Sequence, residues 1–249
     1  MNNWIVPDWP APLNVKALFT TRNGGVSRGK DDVYATLNLG SHVNDSLSDV
    51  QKNRAILCQH VPSTPKWLKQ VHGTTILCMD DEPTSLQGDA ALSRTAGTVC
   101  AMMVADCLPV YLCDKAGTTV AVVHAGWRGL AAGIIEKTVA EMRQEQTEIM
   151  AWLGPAIGSE SFEVGEEVRD VFVNHDKQSS AAFVPQQGKN SDKWLADIFQ
   201  LARLRLADAG VTAVYGGGIC TYSDPSRFFS YRRDGETGRM AALIWLSEP

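Results

Sequence analysis

Three short apolar runs crowded into residues 100–133, CAMMVADCLPVYLCDKAGTTVAVVHAGWRGLAAG, limit what this chain can become more than any other stretch does. The runs 100–105, 108–113 and 118–123 are each far below the roughly 20 apolar residues that a membrane helix needs. Polar or turn-forming residues bound each of them. The second and third are joined by Asp114-Lys115-Ala116-Gly117, so together they read as a β-hairpin. Folding the chain back at Lys115–Ala116 brings Cys107 to within about one residue of lying opposite His124, by antiparallel pairing geometry. A thiol and an imidazole then become neighbours. A one-residue change of register would turn either side chain to the other face.

The 249 residues are long enough for a substantial core, and no repeat, charge block or linker divides them, so one domain over 1–249 is expected. A net charge of −5 argues against a general nucleic-acid partner. The N-terminal MNNWIVPDWPAP lacks the basic and apolar regions of a signal peptide, and no apolar run suggests a membrane span. Cysteines at 58, 78, 100, 107, 113 and 220 form no CxxC pair, which suggests reduced thiols and a cytoplasmic location. No protein partner can be inferred.

Elsewhere the chain reads as a strand over 15–21 and a turn-rich loop over 22–27. Ser48 and Gln51 then resemble a capping box for a helix ending near His60. Val50, Leu57 and Val61 share one face of that helix with Arg54, whose stem either extends along the core or presents its charge to an anion. A strand is expected over 74–79 and a helix over 130–146, entered through Arg128-Gly129. That entry is either a plain strand-to-helix turn or an anion-holding helix N-terminus. Further strands are expected at 151–153, 211–215 and 240–246, and helices at 166–174 and 192–209, the second ended by Gly210.

His72, Cys107 and His124 are the residues with metal-binding chemistry. Two imidazoles and a thiolate suit zinc, and three protein ligands leave a fourth position open, as catalytic sites do. The spacing matches no finger or ribbon, so a cysteine–histidine nucleophilic site and purely structural roles both stay open.

The stretches TTRNGGVS, LNLG, Gln70-Val71-His72-Gly73, ADCLPV, HAGWRG, LGPAIG, FEVGEEV and FFSYRRDGETGRMA, in this order, resemble the YfiH family, also called the laccase-domain or polyphenol-oxidase-like family. The resemblance implies a single α+β domain of layered mixed sheets flanked by helices, an α/β/β/α sandwich. It implies a zinc site, with catalysis, at His72, Cys107 and His124. It also implies phosphorolysis of adenosine, inosine and methylthioadenosine, with adenosine deamination. Phosphate would need cations, for which Arg22, Arg54, Arg128, Arg232 and Arg233 are available. Asp89 and Asp106 are the acid/base candidates, since the HxE and PCxxC motifs of base-editing zinc deaminases are absent. The older family name suggests a copper polyphenol oxidase, and such donors also accept Cu2+. Five histidines, at 42, 60, 72, 124 and 175, are too few for a multicopper centre. The same three residues would also serve a hydrolase built on a Cys107 thiolate and a histidine. A further name used for the family implies a peptidoglycan-precursor editing factor.

Overall fold

The computed structural model describes residues 3–143, 148–186 and 192–248. Its strands are β1 (Val15–Phe19), β2 (Ile76–Cys78), β3 (Ala90–Ser93), β4 (Cys100–Val104), β5 (Leu108–Asp114), β6 (Val120–Ala125), β7 (Ile149–Leu153), β8 (Glu163–Gly165), β9 (Phe183–Pro185), β10 (Lys193–Ala196), β11 (Ala213–Gly216) and β12 (Met240–Leu246). The helices are α1 (Leu47–Cys58), α2 (Trp127–Ala131), α3 (Ile134–Met142), α4 (Glu166–His175), α5 (Ile198–Asp208) and α6 (Tyr231–Asp234). Six strands form one sheet in the order β11-β7-β5-β6-β3-β2, three form a second as β1-β12-β4, and β8-β10-β9 make a small third.

The apolar runs of the hairpin are uninterrupted because both of their faces are covered. Leu108, Val110 and Leu112 of β5, with Ala121 and Val123 of β6, turn to one side. There they meet Ile134, Ile135, Val139 and Met142 of α3. Tyr111, Cys113, Val120 and Val122 turn the other way, against Met102 and Val104 of β4 and Ala242 and Ile244 of β12. The period-2 alternation of a strand thus feeds two cores at once. On the outer face of the β1-β12-β4 sheet, Leu18, Ala101, Ala241 and Leu243 pack with Leu57 of α1 and with Leu37 and Leu39. The resulting order is helices, six-stranded sheet, three-stranded sheet, helix: the α/β/β/α layering expected.

Several boundaries differ from the sequence reading. The helix expected over 192–209 is strand β10 followed by α5. Trp194 and Leu195 pair with β8 and β9, and Asp197 caps α5 by accepting the amides of Phe199 at 2.9 Å and Gln200 at 3.0 Å. The helix expected over 130–146 is broken by Gly133, whose φ of 86° belongs to the left-handed region, and its positions 144–146 lie outside the described residues. Ser48 is not a cap: α1 starts at Leu47 after Ser46 and ends at Cys58. Strand β1 stops at Phe19, short of Thr21. All six cysteines are free thiols. Among the described residues no helix is long and apolar enough to cross a membrane.

Candidate active site

The hairpin turns at Ala116-Gly117, one residue beyond the expected point, and Gly117 takes a φ of 69° there. Pro109, and not Cys107, therefore stands opposite His124. The thiol is still on the right side, because an offset of two residues preserves the face of a strand. Cys107 lies in the bend between β4 and β5, His124 near the end of β6, and His72 on the loop before β2. The three ligand atoms all lie within 4.8 Å of one another. Cys107 Sγ is 3.7 Å from His72 Nε2, and the two imidazole centroids are 4.7 Å apart. An S···N edge of a zinc tetrahedron is roughly 3.6 Å from ordinary bond lengths, so the Cys107–His72 edge matches one and the three donors together could hold a metal ion.

Asp89 holds the His124 imidazole and the backbone that carries His72. Its Oδ1 accepts His124 Nδ1–H at 2.8 Å and the His72 amide at 2.9 Å. Its Oδ2 accepts the amides of Gly73 at 2.8 Å and Val71 at 3.2 Å. These amides hold His72 at its uncommon φ of 59°. The bond to Nδ1 leaves His124 Nε2 to face the metal position, as in carboxylate–histidine–metal arrangements. Burial works against ionising Asp89, yet the His124 and amide hydrogen bonds keep its carboxyl below the usual range. Burial likewise opposes charge on Cys107 and His124. Their attraction for each other, reinforced by His72 and Asp89, outweighs it and takes the thiol down to about 6 and the imidazole up to about 9.

Gly126, which opens α2, explains the close approach. A Cβ there would fall 2.8 Å from His72 Cδ2 and 3.1 Å from Cys107 Sγ. Three residues on, Gly129 lets the Gly73 carbonyl come near, where a Cβ would sit 2.9 Å from that oxygen. The glycines of HAGWRG thus make room for His72, Cys107 and the loop that carries His72.

The trio borders a cavity of about 720 Å³ that also receives Ser41, His42, Arg54, Trp67, Lys69, Gln70, Tyr231 and Arg239. Arg54 is held by the Leu39 carbonyl, which accepts from Nε at 3.0 Å and Nη2 at 2.9 Å, and it lies 4.5 Å from the Trp67 ring. Arg239 Nη1 donates to the carbonyls of Thr237 at 2.8 Å and Gly238 at 3.0 Å. No carboxylate lines the cavity among the described residues. Burial, then the charges of Arg239 and Arg54, push the His42 imidazole below its ordinary value, so it is neutral at pH 7.

The other sequence candidates lie elsewhere. Arg22 donates to the carbonyls of Ala35 and Pro225, and Arg128 folds over its neighbour Trp127; neither lines the cavity. Arg232 bonds to the carbonyls of Ser161 and Glu163, and Arg233 to Asp234 and to the carbonyls of Thr221, Tyr222 and Phe228. Asp89 accepts four hydrogen bonds and Asp106 three through their carboxylates, and neither lines the cavity. The sequence reading missed His42, Gln70, Tyr231 and Arg239. Gln70, Tyr231 and Arg239 stand within the quoted motifs but not among the residues singled out there.

Fold and site together define a layered α+β protein in which a His-Cys-His cluster that could hold a metal ion borders a cavity lined by Arg54, Lys69 and Arg239. The chain belongs to the YfiH family: the family described as multi-copper polyphenol oxidoreductase laccase matches residues 16–247. It is 51% identical to a Pseudomonas aeruginosa protein named purine nucleoside phosphorylase, over 100% of both chains. It is 52% identical to the Escherichia coli purine nucleoside phosphorylase YfiH, over 99% of this chain and 100% of that one. Among solved structures, a Neisseria meningitidis protein superposes with a TM-score of 0.91 at 48% identity, covering 99% of this chain and 100% of the other. YlmD from Geobacillus stearothermophilus gives 0.83 at 32%, covering 96% and 94%.

Proposed function

We propose that this chain is a purine nucleoside phosphorylase that works in the cavity above His72, Cys107 and His124, with zinc as its metal and inorganic phosphate held by Arg54 and Arg239. The observation that supports it best is the charge pattern: Arg54, Lys69 and Arg239 line a cavity without any described carboxylate. Both arginines are anchored through carbonyls, which position them without cancelling their charge. The names of the relatives supply the nucleoside. Adenosine, inosine and methylthioadenosine are the proposed substrates, and adenosine deamination is a proposed second activity of the same cavity.

Phosphorolysis breaks the C1′–N9 bond and joins C1′ to a phosphate oxygen, releasing free base and ribose 1-phosphate. The two guanidiniums would neutralise the phosphate and aim one oxygen at C1′, a gain of proximity and electrostatics. Neutral His42 can share a hydrogen bond with a hydroxyl or an anion beside them. Tyr231, 61% exposed, offers a ring on which a base can rest. When bound, zinc supplies Lewis acidity at an open position, which suits deamination better than glycosidic cleavage.

The family description also names copper. Only His72 and His124 of the five histidines converge on the centre, too few imidazoles for a multicopper oxidase.

Incubating adenosine and inosine with and without phosphate, followed by chromatography, tests the reading. Free base and ribose 1-phosphate should form only with phosphate, and inosine should form from adenosine without it. Arg54→Ala and Arg239→Ala should each raise the KM for phosphate about tenfold, equivalent to about 1.4 kcal/mol. Base release that ignores phosphate, or unchanged phosphate dependence in both variants, would refute the assignment.

A further inference from the structure

We infer that Asp106 is a positioning residue whose carboxylate sets where the Cys107 thiol lies. The inference rests on Cys107 belonging to the ligand trio, and it is independent of which metal or nucleoside is bound.

Pairing of β4 to β12 ends at Val104, and pairing of β5 to β6 begins at Leu108. These strands belong to different sheets, so residues 105–107 cross between layers with no ladder to hold them. The crossing forces Asp106 to a φ of 90°, which is unfavourable for a residue with a Cβ. The residue is only 8% exposed. Burying a carboxylate is costly unless donors surround it. Here Oδ1 accepts from Thr221 Oγ1 at 2.6 Å, and Oδ2 accepts from Ser230 Oγ at 3.0 Å and the Arg232 amide at 2.7 Å. The Asp106 carbonyl accepts the Ile157 amide at 2.9 Å. Three segments distant in sequence thus grip one residue, and the next side chain is the thiol.

The grip reaches the cavity wall as well. Ser230 Oγ also accepts the Arg233 amide at 3.2 Å, capping α6, whose first residue is Tyr231. One buried carboxylate therefore ties the metal-ligating bend to the segment that supplies a wall of the cavity.

The test uses the full chain loaded with Co2+, whose thiolate charge-transfer absorption reports whether Cys107 reaches the metal. Asp106→Gly keeps the φ but removes the carboxylate. Asp106→Asn keeps the shape; its oxygen can serve Ser230 and Arg232 while its amide donates to the Thr221 hydroxyl, which is free to rotate. The glycine variant should lose the thiolate band and about 10–100-fold in Co2+ affinity, the range for groups that orient metal ligands. The asparagine variant should keep the band with affinity within a few-fold, and Ser230→Ala should fall between. Circular dichroism and thermal melting establish that each variant folds. If the glycine variant does not, Ser230→Ala and the iodoacetamide reactivity of Cys107, followed by peptide mass in metal-free protein, decide. Both unchanged would overturn the inference. So would a glycine variant with the wild-type band, or an asparagine variant as impaired as glycine. If the wild-type protein shows no thiolate band, the ligand trio itself is wrong and this inference falls with it.

Discussion

Asp89 offers no free lone pair to a substrate, because two imidazole-bearing segments already use its oxygens. Its place is to hold the His124 ring and the loop that carries His72. Asp89→Asn places an NH2 group against either the His124 Nδ1–H or the amides of Val71 and Gly73. The clash should cost about 1–3 kcal/mol of stability, the usual penalty for an orphaned buried donor. Zinc affinity should drop about 10–100-fold in a chelator-competition titration, because His124 loses the group that fixes its tautomer. Wild-type zinc affinity in this variant would mean that the loop and not the carboxylate orients the ligands. The sequence carries no sign of this role, since an aspartate seventeen positions after His72 has no local pattern to mark it. Arg239 was hidden for a similar reason. Nothing in GRMA distinguishes a cavity cation from a surface one until β12 brings it beside α1's Arg54.

At the scale of elements, the junction of β6 and α2 is where folding and chemistry meet. Gly126 has a φ of −62°, which any residue can adopt, so its lack of a side chain serves space and not backbone freedom. Gly126→Ala should leave the thermal transition within a few degrees of wild type. Elemental analysis should nevertheless show zinc well below the approximately one per chain expected of an intact three-ligand site, since the new methyl overlaps His72 and Cys107. Full zinc loading in the alanine variant would show that the loop before β2 can retreat. Elements with strong local signals were legible: β12 matches its expected span, and α4 extends the expected one by a single residue. The hairpin was legible in kind but shifted by a residue at its turn. Strand β10 was not, because KWLA has apolar spacing that a helix accepts equally well. Only its partners β8 and β9, neither a strong local signal, settle its state.

For the whole molecule, the two sheets are joined by packing and by at least one buried hydrogen bond. Tyr111, central in β5 and fully buried, donates its hydroxyl to the Leu18 carbonyl of β1 at 2.9 Å. Tyr111→Phe removes that bond between layers while leaving the ring edge-on to Trp152, 5.3 Å between centroids. The expected loss is about 1 kcal/mol in denaturant unfolding, or about 2–4 °C in Tm for a chain of this size. Metal content and nucleoside turnover should not change. A loss of metal together with stability would mean that the interlayer contact also tunes the site.

The middle position of β12 in the β1-β12-β4 sheet has a consequence for the order of events during synthesis. Its neighbours β1 and β4 leave the ribosome long before it does, and they do not pair with each other. Until β12 arrives, each presents an open edge, the kind of surface that invites wrong partners. The three candidate metal donors lie at residues 72, 107 and 124, so they are present in the nascent chain well before β12. Arg239 immediately precedes that strand. A growing chain therefore carries the three candidate donors and Arg54 before it carries Arg239, and the second cation enters the cavity in the same event that closes the sheet.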